Sequence, residues 1–237
     1  MKDIIQIGDL SVYLIRKDIK NVHLSVHPPD GRVSLSAPLN TRPDVARAYA
    51  ISKLQWIRSQ QIKMSKQLRE PLRKYIKRES HYIWGRRYLL NVVHTEGKQK
   101  VIIDHKYINL FVRPGASQDK REEVFYEWQK KQLHKFVAEM IAKWEPIMQV
   151  KVQSYFLQKM KTKWGSCNRK LGNIRLNTEL VKKPKDLVEY VIVHELAHLI
   201  VPVHNEKFIQ LLDKFYPQWR ESRMELNELP LGYVEWK

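Results

Sequence analysis

From Leu187 to Val203 the chain is almost continuously apolar, interrupted by Glu189, His194, Glu195 and His198. The stretch is too short and too polar to cross a bilayer, so it must be buried inside protein. Pro184 and Asp186 suit the first turn of a helix. Leu187, Val188, Val191, Ile192, Leu196 and Leu199 supply its apolar surface. On such a helix His194 and His198 share one face, and both imidazoles can reach one metal ion. Glu195, beside the first histidine, can take a proton from metal-bound water. With nine histidines in 237 residues, this five-residue pattern is expected by chance roughly 0.02 times. A histidine and a glutamate facing an apolar interior are costly without a partner, and a metal would supply one.

Zinc needs a third protein ligand and an open position for water. His204 is the candidate, six residues beyond His198. Pro202 should end the helix and let the chain turn back. The metzincin motif has the same spacing, but its midway glycine is Val201 here, so the backbone path must differ. Glu206 and Asp213 are weaker alternatives. Phe208, Leu211, Leu212 and Phe215 mark a further helix after His204.

The rest of the chain reads as α+β. Strand alternation runs over residues 11–15, 22–26 and 33–36, with a turn at Pro28-Pro29-Asp30-Gly31. Thr41-Arg42-Pro43-Asp44 starts a helix expected to reach about Leu68, and Pro71 marks a break. Strands resume at 82–84, 88–93, 101–103 and 107–112. A second long helix spans Asp119 to Trp144, with Pro146 expected to end it. Lys161 to Cys167 and Asn173 to Asn177 read as a hairpin beside the histidine helix. No internal repeat is visible. Pro114-Gly115-Ala116-Ser117 suggests a boundary between a β-rich portion with a long basic helix, 1–117, and a catalytic portion, 118–237.

Charge narrows the partners. The formal net charge is +18 and the pI near 9.9. Residues 53–87 hold eleven Lys and Arg against Glu70 and Glu79, half of the net charge. Trp56, Tyr75, Tyr82, Trp84 and Tyr88 are interleaved with them. Cations for phosphates and rings for bases suit a DNA or nucleotide contact. A solvated helix face with its aromatics turned inward fits the same pattern. Cys167 is the only cysteine, which excludes an intramolecular disulfide; without a base and an orienting partner it reads as a packed thiol. The first residues lack the apolar core of a secretory signal, so a cytoplasmic location is expected, with no membrane contact.

Trp164-Gly165-Ser166-Cys167, Gly172 to Asn177, Tyr190 to Leu199, His204 and Phe208 together resemble the YgjP-like metallopeptidase family, relatives of the SprT-like zincins. The resemblance is close over residues 160–220 and looser over the N-terminal strands and the helix after Pro43. It implies a zincin-like metallopeptidase domain after a β-rich portion. It also implies zinc on His194, His198 and His204, with Glu195 as general base. Eukaryotic SprT-like relatives cleave proteins crosslinked to DNA. This chain departs from the family at Lys163, where arginine is common, and in the more apolar loop 200–203. The resulting expectation is a zinc-dependent hydrolase of protein or peptide, with nucleic-acid-associated proteins a candidate substrate class. The alternatives are a metal-dependent nucleotide phosphohydrolase of pyrophosphatase type, although no P-loop is present, and a DNA-binding module with a structural metal. Arg175 and Arg223 are candidate cations for a developing oxyanion.

Overall fold

Alternating strands at the start of the chain become a four-stranded sheet in the computed structural model, which describes residues 3–27, 30–66 and 70–229. Strands β1 (Asp3–Ile7), β2 (Leu10–Lys17), β3 (His23–His27) and β4 (Arg32–Pro38) lie in the order β1-β2-β4-β3. β2 and β4 are parallel, and the outer pairs are antiparallel. The register sets Val12 beside Val33 and Leu14 beside Leu35, all fully buried. Pro28 and Pro29 of the expected turn lie outside the described residues.

Helices α1 (Pro43–Ser52) and α2 (Leu54–Lys66) close this core with Ala46, Ala50 and Ile57. The start at Pro43 and Asp44 is as the sequence reads. The single helix expected to about Leu68 is instead two. Lys53 leaves helical geometry at φ −105° and ψ 8°, and Ser52 Oγ donates to the Tyr49 carbonyl at 2.7 Å. That side chain competes with the backbone ladder. Leu68 lies outside the described residues.

The described residues divide into two compact units between residues 69 and 70, so the boundary expected near 118 falls inside the second unit. That unit begins with strands β5 (Ser80–Ile83), β6 (Arg86–His94), β7 (Lys100–Asp104) and β8 (Tyr107–Val112), in the order β5-β6-β8-β7. Again the central pair is parallel and the outer pairs antiparallel. The two sheets therefore repeat one topology, although the sequence shows no repeat.

Helix α3 (Gln118–Met148) starts at Ser117, whose hydroxyl accepts from the Lys120 N–H at 3.2 Å. Its stripe, Phe125, Leu133, Val137, Ile141 and Met148, packs on the same core as the second sheet. Pro146 does not end this helix but sits in its last turn. Gln149 closes it in the left-handed region, and the Glu145 carboxylate accepts the Val152 N–H at 2.7 Å.

A third sheet, order β10-β11-β9, joins β9 (Ser154–Gln158), β10 (Gly165–Asn168) and β11 (Asn173–Asn177). The hairpin is shorter than expected, because residues 161–164 precede the first strand. A short 3-10 helix, Thr178–Lys182, leads into α4 (Lys185–Ile200), which is buried on nearly all sides. Helices α5 (Glu206–Phe215) and α6 (Trp219–Glu228) pack on α4. No helix among the described residues is long and apolar enough to cross a membrane.

Candidate metal centre

His194 and His198 stand one turn apart on α4, as their spacing requires. The helix stops at Ile200, where the Val201 N–H still bonds the Ala197 carbonyl at 2.9 Å. The chain then reverses, and Asn205 caps α5 by accepting from the Phe208 N–H at 3.1 Å. This reversal returns His204 to the helix. One ligand atom from each of His194, His198 and His204 lies within 4.8 Å of the others, and the Nε2 atoms of His194 and His204 are 3.0 Å apart. Phe208, 2% exposed, lies under all three rings at centroid distances of 5.0, 4.6 and 4.7 Å.

The two imidazoles on α4 are held neutral. Burial drives the His194 pKa down to about 3, and the charges of His198, His204 and Arg223 push the same way. Burial also lowers His198, against the bond from its Nδ1 to the Val201 carbonyl at 3.2 Å. With Nδ1–H donating there, Nε2 presents its lone pair to the cluster. Converging imidazoles, two of them held neutral by burial, suit a zinc-type divalent ion, so the residues fit such a metal. Glu206 and Asp213 are outside the cluster. Asp213 instead accepts from Trp219 Nε1 at 2.8 Å and from Arg220 at 2.5 Å.

Glu195 is 5% exposed, and its Oε2 has no partner. Burial raises its pKa to about 8, opposed by the positive charge of Lys163. A carboxyl poised near neutrality suits a general base. It lies against Gly165 at the start of β10. A Cβ on Gly165 would sit 2.5 Å from Glu195 Oε1 and 2.8 Å from Cδ and Cγ. Only a residue without a side chain leaves room for this carboxylate.

The approach to Gly165 is tied down by Asn177, which is 4% exposed. Its Nδ2 donates to the carbonyls of Met160 and Lys163, both at 2.9 Å, and its N–H donates to the Trp164 carbonyl at 2.8 Å. Sequence reasoning quoted Gly165 and Asn177 without giving either a role. Their partners lie far along the chain, so no local pattern could show them.

A cavity of about 670 Å³ opens beside the cluster. His194, Glu195 and His204 line it together with Lys163, Trp164, Tyr190, Trp219 and Arg223. Of the two candidate oxyanion cations, Arg223 reaches this cavity. Arg175 lies instead over the Phe156 ring at 5.8 Å. Cys167 is half-buried, and burial with the nearby Glu195 charge raises its pKa to about 11, which keeps the thiol protonated.

Comparison with known proteins gives the class first. A family model described as YgjP-like, metallopeptidase domain, matches residues 20–229, which makes the protein a metal-dependent hydrolase. More particularly, the chain belongs to the YgjP-like family. It is 36% identical over 63 residues to a UTP pyrophosphatase of Escherichia coli (strain K12), an alignment covering 25% of this chain and 38% of that protein. Among solved structures, the metallopeptidase zymogen abylysin of Pyrococcus abyssi is 20% identical over 41% of this chain and 99% of its own, with a TM-score of 0.37. The zymogen jannalysin of Methanocaldococcus jannaschii is 23% identical over 39% of this chain and 91% of its own, with a TM-score of 0.32.

Proposed function

We propose that the chain is a zinc-dependent metallopeptidase in which His194, His198 and His204 hold the metal and Glu195 is the general base. One observation carries this reading: a buried carboxyl whose Oε2 has no hydrogen-bond partner among the described residues stands beside three converging imidazoles. Bound zinc supplies Lewis acidity towards water and towards the carbonyl under attack. Glu195 takes the proton of the attacking water and returns it to the leaving amine. Gly165 leaves the carboxylate its place, and the Val201 carbonyl holds the His198 ring in one tautomer. Phe208 packs against the three imidazole rings, and Trp164 lines the cavity beside them.

A second reading has the same residues hydrolysing a nucleotide phosphoanhydride. It is supported by the cations Lys163 and Arg223 in the cavity and by the name of the E. coli relative. Zinc-loaded wild type and Glu195→Gln separate the two readings on a peptide mixture and on UTP. The substitution should keep the metal and lose about 100-fold or more in turnover. Peptide cleavage dependent on Glu195 supports the peptidase. Phosphoanhydride cleavage with peptides left intact moves the function to the second reading. Full activity in Glu195→Gln refutes the base.

The basic stretch 53–87 is proposed as a contact for nucleic acid. Its residues fall in both compact units, and the exposed Trp56 stands among those of the first.

A further inference from the structure

We infer that Lys163 and Arg223 form an oxyanion subsite that takes a phosphate or carboxylate carried by the substrate beside its scissile bond. The inference rests on the hydrolytic reading of the metal centre and adds the charge its substrate must bear.

Both side chains line the cavity that also holds His194, Glu195 and His204. They come from separate elements: Lys163 from the segment before β10, and Arg223 from α6. Several other cations of this unit are paired. On α6, Arg220 is bound to Asp213 at 2.5 Å. Lys143 on α3 meets Glu189 on α4 at 2.6 Å, and Lys182 meets Glu179 within the 3-10 helix at 2.7 Å. Among the described residues, no carboxylate pairs with Arg223, one turn beyond Arg220, or forms a salt bridge with Lys163. Among the described residues Glu195 is the only acid lining the cavity, and the mechanism already uses it.

The placement is built rather than incidental. Asn177 fixes the backbone at Lys163 through its 2.9 Å bond to that carbonyl. Trp219 and Leu226, buried at 8% and 3%, anchor the face of α6 from which Arg223 reaches the cavity. Trp164 and Tyr190 give the same space apolar walls, which strengthens a charge interaction made against them. A guanidinium can give two parallel N–H donors to one oxyanion, and an ammonium adds a point charge. The developing oxyanion of a peptide bond under attack uses at most one such cation, whereas a substrate phosphate or terminal carboxylate uses both.

The test titrates zinc-loaded full-length Glu195→Gln protein, which binds without turnover. The probes are inorganic pyrophosphate, a short acetylated peptide acid and the corresponding peptide amide. Adding Arg223→Gln should weaken one oxyanion probe about tenfold or more, with zinc stoichiometry unchanged and the amide unaffected. Lys163→Gln should weaken the same probe by a smaller factor, and Arg223→Lys should restore part of the loss. Loss of pyrophosphate binding identifies phosphate as the source; loss of the peptide acid identifies carboxylate. Equal affinities in all variants, or no binding of either oxyanion by the zinc-loaded parent, overturns the subsite. A folded protein that takes up no zinc brings down the metal-site reading instead, and this inference with it.

Discussion

The first and second four-stranded sheets share strand order and strand direction, but only the second is built into the catalytic core. The core of the first closes on α1 and α2, from Ile5 to Ile57. The core of the second runs on without a break through α3 and α4 to Leu226. The difference is sharpest at the first hairpin turn of each. At Gly8 (φ +60°), no described atom lies within 4 Å of where a Cβ would be. At the matching turn, the Trp84 and Gly85 N–H groups donate to the carbonyls of Val181 and Lys182 at 2.8 and 3.1 Å. A Cβ on Gly85 (φ +78°) would lie 2.8 Å from Pro184 Cγ, at the start of α4. One topology therefore supplies a self-contained core in one place and a brace for the histidine helix in the other.

A single kind of substitution grades this difference. Gly165→Ala should have the largest effect on function, because it displaces Glu195. We expect kcat to fall about 100-fold with zinc binding and KM nearly unchanged. Wild-type kcat in that variant would remove Gly165 from the site. Gly85→Ala should act on stability, combining a positive φ with a clash against a rigid ring. The expected loss is about 2–4 kcal/mol in the unfolding transition that also releases zinc. Gly8→Ala meets only the backbone penalty, about 1 kcal/mol, and should leave zinc affinity alone. Equal losses at Gly8 and Gly85 would end the distinction between the two turns.

Acid titration probes the second unit further. In the metal-free protein, burial keeps a proton on Glu195 up to about pH 8, whereas the unfolded chain releases it near its ordinary value of 4.5. The folded state then binds the extra proton, so stability falls as pH rises from about 4.5 to 8. His194, depressed to about 3 from 6.5, works the opposite way: its stability contribution grows between those values. That contribution is common to wild type and Glu195→Gln, so it cancels in their difference. The advantage of Glu195→Gln over wild type in chemical denaturation should widen across pH 4.5–8. Zinc should narrow it, because the ion favours the carboxylate. A difference that is flat with pH would contradict the burial of Glu195.

Apart from β1, which the alternation over 11–36 does not reach, the strands of both sheets were legible because apolar residues alternate between turn-forming residues such as Gly85 and Asp104. The topological repeat was not, because Val33-Ser34-Leu35 and Ile108-Asn109-Leu110 share a pattern that any half-buried strand can have. Lys53 breaks a helix without proline or glycine, through a serine hydroxyl that propensity does not weigh. β9 has no fully buried residue to mark it, and α6 is mostly polar, with Trp219 and Leu226 its main anchors. The three histidines could be read because two share a helical spacing and the third follows a proline break. Gly165 and Arg223 could not be placed, since what matters about each is a neighbour thirty or more residues away.

The smallest effect concerns the basic stretch. Each phosphate contact contributes close to one unit to the slope of log affinity against log salt. Lys53, exposed at the end of α1, belongs to the first unit, and Arg87, exposed on β6, belongs to the second. Fluorescence anisotropy with a short DNA duplex, over a salt series, should show a shallower slope for Lys53→Gln if the self-contained unit holds the contact. A shallower slope for Arg87→Gln alone would assign it to the unit that carries the metal centre. Unchanged slopes in both variants would leave the stretch as a solvated surface, and the two sheets would then differ in their packing and not in what they bind.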